Sequence, residues 1–140
     1  MNTPQSIGTC VVLTNTNNQI LLGKRKNSYK AGYFGLPGGR IELNEKIESA
    51  IARETLEETG LSNLDFKYVG VVRENQSAYD FIHFVFTASV ENQQPKLCEP
   101  DKCESWVWFD SKSKFDLVLP GHKAAIDLVR ESGSLADLTS

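Results

Sequence analysis

Glu54, Glu57 and Glu58 stand three and four residues apart in "RETLEETGL", the spacing that gathers side chains on one side of an α-helix. Ile47, Ala50 and Ile51 form an apolar stripe just before them. Continued at helical spacing, that stripe runs into Glu54, then Glu57 and Glu58. The three carboxylates are therefore expected to share a face that points the way the buried residues point. Like charges placed there repel one another and are costly to desolvate, and a divalent cation compensates them efficiently. Mg2+ is hard, prefers carboxylate oxygen and binds together with phosphates. Read alone, "ETLEE" fits the solvated acidic end of an amphipathic helix better than a metal face. Its surroundings favour the metal face. Gly38 and Gly39 of "LPGG" let backbone carbonyls and amides approach a ligand closely, and Arg53 lies beside the acidic face, where it can pair with a carboxylate and hold its orientation. Lys24, Arg25 and Lys26 of "GKRK" are candidates for neutralising phosphates, or are solvated charges at a strand end.

The elements that must position these residues are legible in outline. "IGTCVVLT", Ile7 to Thr14, reads as a strand, "NTNNQ" as a turn, and "ILLGKR", Ile20 to Arg25, as the returning strand of a hairpin. "NSYKAGYFGLPGGR" reads as loop. Asn44 is placed to cap a helix over Glu45 to Thr59, which holds no Gly or Pro, and Gly60 to stop it. "FKYVGVVRE" and "AYDFIHFVFTASV" read as strands joined in a hairpin through "ENQSA". "ESWVWF" reads as a further strand, and a last helix runs from about Gly121 to Glu131, followed by a frayed "GSLADLTS". Strands and helices mix without regular alternation, which indicates an α+β class or an α/β sandwich.

The chain has 140 residues, 40% of them hydrophobic and 24% charged, with a formal net charge of -3, as expected of one soluble domain spanning residues 1–140. No long basic block marks a nucleic-acid clamp. No basic segment followed by an apolar run marks a signal peptide, and no stretch approaches a membrane span, so a cytoplasmic location without membrane partners is expected. Of the three cysteines, Cys10 reads as core and Cys98 and Cys103 as free thiols.

Gly39, Glu45 and "RETLEETGL", ending in Gly60 and Leu61, match the spacing of the Nudix box, and the chain resembles the Nudix hydrolases. The resemblance implies an α/β/α sandwich around a central mixed β-sheet over most of the chain. It implies that Glu54, Glu57 and Glu58 bind Mg2+ or Mn2+ with the Gly39 carbonyl as a further ligand, that Glu54 lies nearest the attacking water, that Glu45 supports the helix start, and that Arg53 orients the carboxylates. Thr55 stands where the family usually has an aliphatic residue, at a small expected packing cost. "LLGKRK", "GYFGLPGGRIE" and "EPDKCESWVWFD" look like the MutT-type subgroup, which hydrolyses nucleoside triphosphates to monophosphate and pyrophosphate and includes enzymes for oxidised purine nucleotides. That implies a small-molecule nucleotide substrate and a homodimer. Lys24 and Arg25 are then candidates for the phosphates, and Phe34 and Phe84 for stacking on a base or, equally, for plain core packing. His83 and His122 read as structural. A nucleoside diphosphate sugar or a prenyl diphosphate stays open as substrate, and so does a nucleotide-sensing module without turnover, although such modules usually lose box glutamates.

Overall fold

A computed structural model describes residues 5–27, 30–76 and 79–132. The chain forms β1 (Gln5–Thr14), β2 (Gln19–Arg25), β3 (Phe34–Gly35), β4 (Gly38–Arg40), α1 (Ile47–Thr59), β5 (Lys67–Gln76), β6 (Tyr79–Ser89), β7 (Cys103–Asp110) and α2 (Pro120–Glu131). The sheet is built around β1. Cys10 to Leu13 are fully buried, and β1 runs parallel to β6 from Gln5↔Asp80 to Thr14↔Ser89. A strand covered on both faces loses its polar alternation, hence the unbroken "CVVL". The strand order is β3-β2-β1-β6-β5, with β4 paired to β1 and β7 to β2. Among the described residues every pairing between these strands other than β1 with β6 is antiparallel, so the sheet is mixed, as expected.

Alternate residues of β1 feed two cores. Cys10 and Val12 pack with Leu22, Val85 and the α2 residues Ala125, Ile126 and Val129. Val11 and Leu13 pack with Leu21, Phe86 and the α1 residue Ile51. One helix therefore covers each face, which is the α/β/α sandwich. The β1–β2 turn is held by Asn15, whose Oδ1 accepts the amides of Asn17 and Gln19 at 3.0 Å each. Among the described residues no helix is long and apolar enough to cross a membrane.

Several local expectations need correction. The glycine-rich segment is not all loop, because β3 and β4 lie within it. Strands of two and three residues carry no periodicity to read. Asn44 does not cap α1. It sits at φ 64°, a conformation asparagine tolerates, and the helix begins after Lys46 with no side-chain cap. Gly60 does end α1, at φ 74°, with its N–H donated to the Leu56 carbonyl. The buried stripe of α1 runs through Ala50, Ile51, Thr55 and Thr59, not into the three glutamates, which flank it. The "ENQSA" hairpin turn (Ser77 and Ala78) and the tail over residues 133–140 lie outside the described residues. Cys10 is buried, and Cys98 and Cys103 are free thiols.

Candidate active site

The acidic group is assembled where β4 passes beneath α1. Gly38 N–H donates to Glu58 Oε1 at 2.8 Å. Gly38 has φ 152°, and a Cβ there would run into the Thr9 carbonyl of the neighbouring strand. At Gly39 a Cβ would meet the Glu54 carboxyl carbon at 2.5 Å. Both glycines are thus required by close approach, the first to β1 and the second to a site carboxylate.

Arg53 ties the loop to the helix. Its Nε and Nη2 donate to the two Glu45 oxygens at 2.7 and 3.0 Å, its Nη1 to Glu54 Oε1 at 2.9 Å and to Glu57 at 3.3 Å, and its Nη2 to the Arg40 carbonyl at 3.2 Å. The guanidinium fork suits this arrangement. It holds the Glu45 carboxyl down near 2. Arg53 and Glu45 are therefore the positioning pair, and Glu54 and Glu57 hang from it.

Glu54 and Glu58 are partly withdrawn from water while Glu57 is exposed. Burial pushes the Glu58 carboxyl up to about 8, opposed by the Gly38 N–H and reinforced by the charges of Glu54 and Glu99. Burial also raises Glu54, against the pull of Arg53. Burial is the larger cause in both, and the charge of neighbouring carboxylates adds to it. The donor set, hard oxygens on one side of a helix facing a glycine-lined strand, fits a hard divalent ion.

A cleft of about 520 Å³ is lined by Glu58, Glu99 and Trp106 together with Lys24, Arg25 and Lys102. Both residues expected to meet phosphates, Lys24 and Arg25, therefore share a cleft with Glu58 of the acidic group. Lys24 also lies 3.5 Å from Glu104. Phe34 and Phe84 are not brought there. Phe34 packs edge-on against Phe109 at 5.0 Å in the core under α2. Phe84 packs on the α1 side, beside Tyr68. Glu99 and Lys102 went unread as site residues, although they lie in the "EPDKCESW" segment already singled out. Trp106 belongs with them, since its Nε1–H donates to the Glu58 carbonyl at 3.2 Å and so fastens β7 to the end of α1.

A mixed sheet between two helices, with an arginine-braced acidic helix over a double glycine, defines an α/β/α sandwich with a carboxylate-rich site. The NUDIX domain model matches residues 4–129, and the chain belongs to the Nudix hydrolase family. It is 30% identical over 125 residues to the oxidized purine nucleoside triphosphate hydrolase of Mus musculus, covering 81% of this chain and 80% of that one. It is 56% identical over 45 residues to the ADP-ribose pyrophosphatase of Methanocaldococcus jannaschii, a stretch that is 32% of this chain and 27% of that enzyme. Among solved structures, a MutT NUDIX hydrolase from Burkholderia pseudomallei superposes with a TM-score of 0.82 at 28% identity, over 90% of this chain and 98% of the other.

Proposed function

We propose that the protein is a Mg2+- or Mn2+-dependent diphosphatase that cleaves (deoxy)nucleoside triphosphates, oxidised or noncanonical purine nucleotides among them, to monophosphate and pyrophosphate. The observation that carries this reading is a single cleft lined by both carboxylates, Glu58 and Glu99, and cations, Lys24, Arg25 and Lys102. A polyphosphate held in it meets those cations beside Glu58, which belongs to the acidic group of Glu54, Glu57 and Glu58.

Glu54, Glu57 and Glu58, with the Gly39 carbonyl, are the groups that would hold the ion. Bound there, a divalent cation supplies positive charge to phosphate oxygens and acidity to water. The chain's own residues do the rest. Arg53 Nη1 occupies Glu54 Oε1, which leaves Oε2 to accept the proton of the attacking water, and burial makes that carboxyl a stronger base than an exposed glutamate. Gly38 N–H fixes Glu58. Lys24 and Arg25 draw the chain of phosphates along the cleft, and positioning of this kind is worth about a hundredfold per 1 Å.

The likeness to the mouse enzyme over most of both chains supports the triphosphate reading. The short stretch shared with the archaeal ADP-ribose pyrophosphatase supports a second one, a nucleoside diphosphate sugar. Initial rates at low substrate across nucleoside triphosphates, nucleotide sugars and prenyl diphosphates decide between them. The proposal expects purine triphosphates to lead; a nucleotide sugar turned over fastest would replace it.

A further inference from the structure

The turn at residues 99–103 leads into β7 and is fastened on both sides. The Glu99 carbonyl accepts the N–H groups of Lys102 and Cys103 at 3.0 Å each. The Lys102 carbonyl accepts the Lys26 N–H at 3.0 Å, the Asp101 carbonyl accepts Asn27 Nδ2–H at 3.2 Å, and Cys103 pairs with Arg25 of β2. Trp106 ties β7 in turn to the Glu58 carbonyl near the end of α1. The backbone of Lys102 is therefore fixed between the basic end of β2 and the acidic helix. Lys102 itself is exposed and lines the cleft together with Glu58 and Glu99.

The box carboxylates are not neutralised alike. Arg53 bonds Glu54 and Glu57, and among the described residues it makes no bond to Glu58. Glu58 is more deeply buried than Glu54 and is met by a neutral donor, the Gly38 N–H. Two charges of the turn act on it, Glu99 raising its carboxyl and Lys102 lowering it. Lys102 thus attends the carboxylate that Arg53 leaves over, while Lys24 is engaged by Glu104 at 3.5 Å. The two cations also differ in kind. Arg53 is bonded through Nε, Nη1 and Nη2 and stays with its carboxylates. An ammonium on a flexible four-carbon stem makes no such fork and can exchange partners.

We propose that Lys102 is an exchangeable counter-cation of the acidic group: in the metal-free protein its ammonium serves Glu58 and Glu99, and it yields Glu58 to a divalent ion and turns to the phosphates of the substrate. The inference rests on the phosphate-cleaving reading given above and adds a linkage to it. Lys102 opposes metal in the free protein, because a positive charge beside the site repels a divalent ion, and favours substrate in the complex. A cation fixed for phosphate alone would do only the second, and a solvated lysine would do neither.

Mn2+ is the probe, followed by its electron paramagnetic resonance signal in nucleotide-free protein. Lys102→Met is expected to lower the Mn2+ Kd by about fivefold or more, and Lys102→Arg to keep it near the parent value. Both substitutions leave the turn intact, since Lys102 contributes its backbone N–H and carbonyl to it. In a second arm, at saturating Mn2+, Lys102→Met should raise KM for a purine triphosphate by about fivefold or more, with arginine restoring it. A Mn2+ Kd that is unchanged or weaker in Lys102→Met overturns the proposal, whatever KM does. A tighter Kd with an unchanged KM overturns the exchange. The Mn2+ arm needs no substrate, and the KM arm can be run with any diphosphate that is turned over. Both effects seen with a nucleotide sugar, in a protein that hydrolyses no triphosphate, would keep the role of Lys102 and remove the proposed reaction.

Discussion

Glu58 concentrates the electrostatic conflict of the site. Burial holds its carboxyl near 8, against 4.5 for the free side chain. Between those values the folded protein keeps a proton that the unfolded chain has released, so this contribution to stability is full below pH 4.5 and lost as pH rises through 8. His122 works the other way, because its neutral buried ring makes stability rise with pH between about 3 and 6.5. The two effects overlap below pH 6.5 and separate above it. Chelated protein is therefore expected to lose stability from pH 6.5 to 8, by up to about 1.4 kcal/mol per pH unit. Melting curves check this, and Glu58→Gln should flatten the trend. The same residue tests catalysis. Glutamine keeps an oxygen for the Gly38 N–H but not the charge, so Glu58→Gln and Glu57→Gln should each lower kcat/KM by about a thousandfold, or ~4 kcal/mol, with the fold intact. Near-normal turnover in both variants would remove the acidic face from the mechanism.

On the scale of the element, α1 shows what was legible and why. Its stop at Gly60 could be read because a left-handed residue after a helix has few other interpretations. Its start was misplaced because asparagine both caps helices and occupies left-handed turns, and Asn44 does the second. The buried stripe was misdirected because Thr55 and Thr59 look polar in sequence. Thr59 Oγ1 donates to the Thr55 carbonyl at 2.6 Å, which makes it acceptable inside. Thr55 Oγ1 is buried without a partner among the described residues. The small packing cost expected for Thr55 is thus a polar cost instead. Thr55→Val keeps the shape and deletes the unpaired hydroxyl, and should stabilise the protein by about 1 kcal/mol, or roughly 3 °C in Tm. An unchanged or lower Tm would mean that the hydroxyl has a partner in solution.

Across the whole molecule, the box residues were readable because they lie close together in sequence, whereas the cavities beside them were not. Arg25, Leu36, His83 and His122 meet only because β1 pairs with β6 and α2 returns over the same face, and no local pattern announces that. Phe34 and Phe84 were ambiguous for the same reason, since an aromatic in a strand points to a core or to a cleft according to the register of its neighbours. The acidic face also links metal to the stability of the whole chain. Only the folded protein gathers Glu54, Glu57 and Glu58, so Mg2+ at about a hundred times its Kd should stabilise it by ~2.7 kcal/mol. The gain in Tm should vanish in the Glu54, Glu57, Glu58→Gln triple variant; an equal gain there would place the ion elsewhere. The most direct test of the account is chromatography of the products formed from a purine deoxynucleoside triphosphate, with Mg2+ and with chelator. Monophosphate and pyrophosphate, formed only with the metal and lost in Glu58→Gln, is the predicted result. Diphosphate and orthophosphate as the main products, or turnover undiminished by chelation, would contradict it.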